Sequence, residues 1–172
     1  MAANHLEQLV AEWYEHQGYF VRRNIKVGRR AKGGYEGELD IVALHPERRH
    51  LVHIETSLDA LPWAIRDEKF RRKFDAGTKY IPGLFTGVDM PAEIDSVAIL
   101  VFASKRNRAS VGGGRLMIAL ELYEEIIRTL AYTSIRTGMI DEQKPLLRTL
   151  QFVAENRAEV VRALKAAAEA GP

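Results

Sequence analysis

Residues 35–57, YEGELDIVALHPERRHLVHIETS, hold two runs of β-forming residues around a short polar turn. Glu36 to Leu44 and Leu51 to Thr56 read as strands, and HPERRH, with Pro46 near its start, has the size of a hairpin turn. Side chains alternate faces along a strand, so Glu38, Asp40, Val42 and Leu44 share one face of the first run. Leu51, His53, Glu55 and Ser57 share a face of the second. A turn centred on HPERRH pairs Leu44 with Leu51 and Val42 with His53. The same register sets Asp40 opposite Glu55 and Glu38 opposite Ser57. Directly opposed side chains have Cβ atoms about 4.5–5.5 Å apart, a separation at which two carboxylates repel. A divalent cation offers the compensation, because Mg²⁺ is held by one or two carboxylates with water and substrate phosphate. Two alternatives stay open: both acids at strand ends in water, or a one-residue slip that breaks the pairing.

Outward from the hairpin, His5 to His16 carries Leu6, Leu9, Val10, Trp13 and Tyr14 at the spacing of a helix with one buried stripe. Gly18 is its stop. Tyr19 to Val27 reads as a first strand, followed by a basic, glycine-containing loop from Gly28 to Gly34. Leu61-Pro62-Trp63 opens a second helix, predicted to run to about Ala76 and to end at Gly77. Ser96 to Ala103, SVAILVFA, is a strand buried on both faces. Gly112 to Gly114 reads as a flexible loop, and no Gly-Lys-Ser/Thr follows to make it a phosphate-binding loop. Leu116 to Glu121 is either one more strand or the start of a helix ending near Gly138. Asp141 to Ala170 is helical by pattern. The expectation is a mixed α/β domain over residues 1–172, with a core over about 5–121 and a helical part over about 122–170.

The chain has 172 residues, 47% hydrophobic and 28% charged, enough to bury a core in one domain. It contains no cysteine, which excludes disulfides, thiolate zinc sites and a cysteine nucleophile. MAANHLEQLV has no basic segment leading into a long apolar run, and no stretch reaches the roughly 18 apolar residues of a membrane span. The expected address is therefore cytoplasmic. Net charge is only +2, but the charges segregate. Arg22, Arg23, Lys26, Arg29, Arg30 and Lys32 form one basic cluster. Arg66, Lys69, Arg71, Arg72 and Lys73 form a second, and Lys105, Arg106 and Arg108 a third. Acids gather in Glu7 to Glu15, Glu36 to Asp40 and 120–125. Such segregation makes either a basic rim around an acidic centre or a set of solvated faces.

G-E-L-D-I-V-A, about a dozen residues, then L-V-H-I-E-T-S resembles the core motif of the PD-(D/E)xK nucleases. With a glutamate on the first helix, the chain looks like archaeal Holliday-junction resolvases and Mrr-type restriction endonucleases. The resemblance covers residues 5 to 103 and implies a restriction endonuclease-like core: helix, three-stranded antiparallel meander, helix and a further strand, here with C-terminal helices. It implies that Asp40 and Glu55 bind the metal, that the Thr56 carbonyl lies where a backbone ligand is found, and that Glu7 helps place metal or water. The motif's lysine would fall at Ser57. A lysine there stabilises developing negative charge, and a serine supplies no positive charge. In some branches of the superfamily that lysine has moved to the following helix, where Lys69 and Lys73 stand one turn apart. Lys69 is the preferred substitute; the other reading is that catalysis is lost and binding remains.

The activity so implied is Mg²⁺-dependent hydrolysis of DNA phosphodiester bonds, with Mn²⁺ as a substitute ion, in a structure-specific or defence role. Arg22, Arg23, Lys26, Arg29, Arg30, Lys32, Lys69, Arg72 and Lys73 are the expected contacts to flanking phosphates. The alternative is a catalytically silent protein that binds nucleic acid or a protein partner. His53 either assists Glu55 or packs beside Val42. The helical faces over 122–127 and 152–164 suit a homodimer or intramolecular packing equally well.

Overall fold

The computed structural model describes residues 4–170, in two compact units, Met1–Leu120 and Glu121–Pro172. In the first unit α1 (His5–His16) buries Leu6, Leu9, Val10 and Trp13. Asn4 caps it, its Oδ1 accepting from Leu6 N–H at 3.0 Å while its Nδ2 donates to Glu7 Oε1 at 2.8 Å. Strands β1 (Phe20–Arg29), β2 (Tyr35–His45) and β3 (His50–Ser57) follow as an antiparallel meander. Helix α2 (Trp63–Tyr80) then carries the chain to β4 (Asp95–Leu100), parallel to β3. A two-residue strand β5 (Ser110–Val111) and β6 (Gly114–Ile118) complete a six-stranded sheet of order β1-β2-β3-β4-β6-β5, with β6 parallel to β4. This is a mixed α/β architecture, as the order of elements predicts.

The hairpin register is the expected one, with Leu44 paired to Leu51 and Val42 to His53. Ile41, Val42, Ala43, Val52 and Ile54 have no exposed surface, so both faces of the hairpin are covered. Each buried valine, leucine or isoleucine contributes about 1.5–3 kcal/mol. Summed over this hairpin, that outweighs the several kcal/mol that burying two acids costs, and it holds the register around them. Val97 to Leu100 of β4 are buried, but the strand stops at Leu100 instead of running to Ala103, and Phe102 is exposed, so the apolar run is longer than the strand buried on both faces.

Two local expectations are corrected and one open alternative is resolved. Helix α2 does not end at Gly77 but continues to Tyr80, and Gly77 is buried within it. Gly112 and Gly113 do not form a loose loop: with φ of 57° and 87° they make the tight turn of the β5–β6 hairpin. The segment 116–121 is part strand and part helix, since β6 ends at Ile118 and α3 (Ala119–Leu130) begins at once, and that helix ends at Leu130, not near Gly138.

In the second unit α4 (Ile135–Gly138), α5 (Pro145–Glu155) and α6 (Arg157–Glu169) follow α3. Gln151 is fully buried there, accepting from Ile140 N–H at 3.0 Å and donating to the Gly138 carbonyl at 2.8 Å. Both ends of its amide are therefore satisfied, which ties α5 to the chain after α4. Among the described residues no helix is long and apolar enough to cross a membrane.

Candidate active site

The site lies where the sheet comes apart. The β2–β3 ladder runs from His45–His50 to Ile41–Ile54 and stops. The next pair in register is Asp40 and Glu55, so the two carboxylates face each other as the alternation predicts. On its other side Asp40 faces Asn24 of β1, the one position the β1–β2 ladder skips between Arg23–Ile41 and Ile25–Leu39. Asn24 has φ of +52°, a left-handed conformation that asparagine tolerates better than most residues. Asp40 itself thus lies outside both ladders, and its N–H is donated to a side-chain oxygen, Glu55 Oε1.

Those bonds divide the four carboxylate oxygens in two. Asp40 Oδ2 accepts from Thr56 N–H at 2.9 Å. Glu55 Oε1 lies 2.7 Å from His53 Nε2 and also accepts from Asp40 N–H at 3.2 Å. The remaining oxygens, Asp40 Oδ1 and Glu55 Oε2, converge on Lys73 Nζ, which is 2.7 Å from the first and in direct contact with the second. Glu55 and His53 have no exposed surface and Asp40 is 9% exposed. Burial and the neighbouring Glu55 charge raise the Asp40 pKa above the usual aspartate value. Burial pushes Glu55 up as well, but the His53 bond and the Lys73 charge outweigh it, and its pKa is lowered overall. For Lys73, burial opposes the charge, while Glu55 and Asp40 raise its pKa further above the ordinary range. Lys73 is therefore an ammonium and Glu55 a carboxylate at neutral pH.

The preferred substitute for the motif lysine is corrected here. Lys69 does not meet the carboxylates; its ammonium pairs with Asp59 Oδ2 at 2.8 Å. The four-residue step from 69 to 73 advances about 6 Å along α2, which puts Lys69 over the β3–α2 loop and Lys73 over the opening between β2 and β3. Asp59 holds that loop together. Burial works against its charge, but Lys69, Ser57 and the Leu61 N–H lower its pKa to about 2. Ser57 is buried and its Oγ accepts from Asp59 N–H at 3.3 Å, so its hydroxyl serves the turn. Arg66, which the sequence places in a basic rim, is 3% exposed, donates to the Asp59 carbonyl at 2.7 Å and stacks on Trp63.

Glu7 reaches this region through Thr56, whose Oγ1 is 3.5 Å from Glu7 Oε1. The same carboxylate oxygen is engaged by Asn4, so Glu7 closes the N-terminal turn of α1 as well as facing Thr56. The Ser57 carbonyl accepts from Val101 N–H on the β4 side. Successive carbonyls of a strand point to opposite sides, so the Thr56 carbonyl points to the β2 side, as its N–H does. A cleft of about 370 Å³, lined by Glu36, Gly37, Glu38, Asp40, Lys69, Arg72, Lys73 and Ala76, opens beside the carboxylates. Arg22, Arg23, Lys26, Arg29, Arg30 and Lys32 are exposed along β1 and the turn after it. Arg72 is exposed, and Lys69 and Lys73 are half-buried. A larger cavity of about 830 Å³ lies elsewhere in this unit, lined by Arg49, Glu93, Asp95 and Arg115 among others, with Asp95 paired to Arg115 at 3.0 Å.

Two residues escaped the sequence reading as parts of the site. Asn24 gave no signal beyond being a polar residue within a strand. Gly77 carried one: a glycine inside a helix, where it costs about 1 kcal/mol relative to alanine, marks a close approach. A methyl group at Gly77 would collide with Nδ1 of His53, so the glycine admits the histidine that holds Glu55.

As a cation site the donor set is small and hard. Among the described residues no group of three or more His, Cys, Asp or Glu side chains is gathered to hold a metal. Two carboxylate oxygens nevertheless converge on one point, and a cationic group already stands there. With the Thr56 carbonyl on the same side, this donor set fits Mg²⁺, which keeps several waters and needs few protein ligands.

No protein-family model matches the chain, and no curated protein matches it. Among solved structures, the chain is similar to a crystal structure of a protein of unknown function, AF1548. The two share 14% identity with a TM-score of 0.42 over 87% of this chain and 95% of that one. A likeness at that level carries no argument about activity.

Proposed function

We propose that the chain is a divalent-metal-dependent nuclease that hydrolyses DNA phosphodiester bonds. One observation carries the reading: Asp40 Oδ1 and Glu55 Oε2 converge on one cation position, with a lysine from the next helix at the same point. That lysine supplies the positive charge that Ser57 does not. The resemblance to the PD-(D/E)xK nucleases supports the reading, as does the order of helix, antiparallel meander, helix and parallel strand. A bound Mg²⁺ would be held by Asp40, Glu55 and the Thr56 carbonyl, and would polarise the phosphate and acidify a water. His53 fixes Glu55, Thr56 N–H fixes Asp40, and Lys73 brings a cation for the phosphate oxygens. Lys69 and Arg72 line the adjoining cleft, and the exposed β1 cations supply contacts to flanking phosphates.

The closed Lys73–carboxylate triad favours a second reading, a nuclease-like protein that binds nucleic acid without cutting it. Labelled linear, single-stranded and four-way-junction DNA, incubated with Mg²⁺, Mn²⁺ or EDTA, separates the two. Metal-dependent cutting that Asp40→Ala, Glu55→Ala and Lys73→Ala each abolish is the expected result. Salt-dependent binding without cutting by the folded wild type overturns it in favour of the silent binder.

A further inference from the structure

We propose that Lys73 is a built-in counter-ion which a divalent cation must displace, so that metal loading and the delivery of the lysine to substrate are one exchange. The proposal rests on the nuclease reading above and concerns how its site is loaded. The division of the carboxylate oxygens argues for it. Asp40 Oδ2 is committed to Thr56 N–H, and Glu55 Oε1 to His53 and Asp40 N–H. The oxygens that the fold leaves over, Asp40 Oδ1 and Glu55 Oε2, are the two that Lys73 holds. A cation approaching the pair therefore meets an ammonium at the position it would take.

Charge points the same way. Two carboxylates and one ammonium leave the triad at −1. A divalent ion added with Lys73 in place would set two cations together beside groups that are almost wholly buried, where repulsion is poorly screened. With Lys73 withdrawn, the ion and the carboxylates balance. The ammonium has somewhere to go, because the 370 Å³ cleft begins at Lys73 and Asp40 and is bordered by Lys69 and Arg72. A phosphate entering that cleft would accept Lys73 as the metal takes its former partners. No proton moves; Lys73 gives up its two carboxylate partners for a phosphate, and the metal takes the carboxylates. The device makes free protein a poor metal binder and ties full loading to the presence of a phosphodiester, which restrains cutting without substrate.

The test reads metal binding, not turnover. Mn²⁺ binding to the full chain, without nucleic acid, is followed by loss of the free-ion EPR signal for wild type, Lys73→Met and Lys73→Met/Asp40→Asn. Methionine keeps the unbranched stem and removes the charge. Lys73→Met is expected to bind Mn²⁺ roughly ten-fold or more tightly than wild type, and the double variant to lose that gain. Equal or weaker binding by Lys73→Met, with Asp40-dependent binding and cleavage intact in the wild type, overturns the exchange and leaves the nuclease reading standing. No Asp40-dependent binding in any protein, together with no cleavage, overturns both. A second measurement uses wild type alone: acetylation of Lys73, quantified by mass spectrometry with and without Mg²⁺. Its labelling should rise several-fold with Mg²⁺ while Lys69, paired with Asp59, stays constant. Unchanged labelling of Lys73 at saturating Mg²⁺ also overturns the exchange.

Discussion

His53 Nε2 lies 2.7 Å from Glu55 Oε1, two residues along the same face of β3, and neither side chain has any exposed surface. The other ring nitrogen, Nδ1, is buried with no hydrogen-bond partner. A proton placed there would have no acceptor, so the hydrogen-bond network assigns the ring proton to Nε2, where it is donated to Glu55. One carboxylate oxygen is thereby fixed, and the other is presented to Lys73 or to whatever replaces it. An orienting partner of this kind commonly matters as much as the group it holds.

The fit of His53 against α2 gives a prediction whose sign opposes the local rule. By helix propensity alone, Gly77→Ala stabilises a helix interior by about 1 kcal/mol. Here the added methyl collides with the His53 ring, so the substitution should destabilise by about 2–3 kcal/mol and displace Glu55. In a His53→Ala background the collision is gone, and Gly77→Ala should cost little or restore stability. Urea unfolding of the four proteins checks this, and additive single effects would show that the ring and the glycine do not interact.

The difference between the legible and illegible parts of this chain is physical. Alternation and turn length were enough for the hairpin, because a one-residue slip would turn Ile41, Val52 and Ile54 away from their places. The opposition of Asp40 and Glu55 followed from the same parity. Lysine placement did not follow: Lys69 and Lys73 are both on α2, and only the helix's seating on the sheet separates them. Nor did the sheet defect, since nothing local to Asn24 announces a positive φ. Gly77 was misread as a helix end because a glycine that ends a helix and one that admits a neighbour look alike in one dimension. The Gly112–Gly113 turn was misread for a related reason, as the two-residue strand before it is too short to show a period.

Removing Lys73 leaves two carboxylates facing each other with one fewer cation. Breaking a fully buried ion pair in this way costs about 3–5 kcal/mol, and the partial exposure of Lys73 places Lys73→Ala below that range, at about 2–3 kcal/mol. Much of that cost is repulsion between the acids. Adding Asp40→Asn to Lys73→Ala should therefore recover part of the loss, with a coupling of at least about 1 kcal/mol in a double-mutant cycle. Denaturant midpoints at low ionic strength measure it, and a coupling of zero would mean that the contact carries no net energy. Lys69→Ala, which loses a partly exposed pair with Asp59, should cost under about 1 kcal/mol.

The opposite pKa directions of the two acids set their pH dependence. Glu55 is lowered, so its contribution is present above the ordinary glutamate value of 4.5 and is lost as pH falls through its lower folded value. Asp40 is raised, so its contribution is present below the ordinary aspartate value of 3.8 and is lost as pH rises through its higher folded value. At neutral pH the ionised Asp40 is thus a strained group retained at a cost to stability. Asp40→Asn keeps an oxygen for Thr56 N–H and removes the repulsion. It should match or exceed wild-type stability at pH 7, by up to about 1 kcal/mol, while abolishing any metal-dependent cutting. Thermal unfolding from pH 3 to pH 8 should show the advantage shrinking toward acid. A clear loss of stability at pH 7 would mean that the Lys73 ion pair outweighs burial and repulsion at Asp40.

Asn24 tests whether the defect beside Asp40 is built or incidental. Its φ of +52° is available to glycine at no steric cost, and costs a β-branched residue about 1–2 kcal/mol or more. Asn24→Gly should be neutral to slightly stabilising, and Asn24→Val should destabilise by about 2 kcal/mol. If the skipped pair keeps Asp40 free of the β1 ladder, valine does more than strain the chain. It drives residue 24 toward extended backbone, completes the ladder opposite Asp40 and pulls that carboxylate from its place beside Glu55. Metal-dependent cleavage by Asn24→Val, measured at a temperature where the protein is fully folded, should then fall at least about ten-fold, with Asn24→Gly near wild type. Equal activity of the folded valine variant would make the positive φ a local accident of the strand with no part in positioning Asp40.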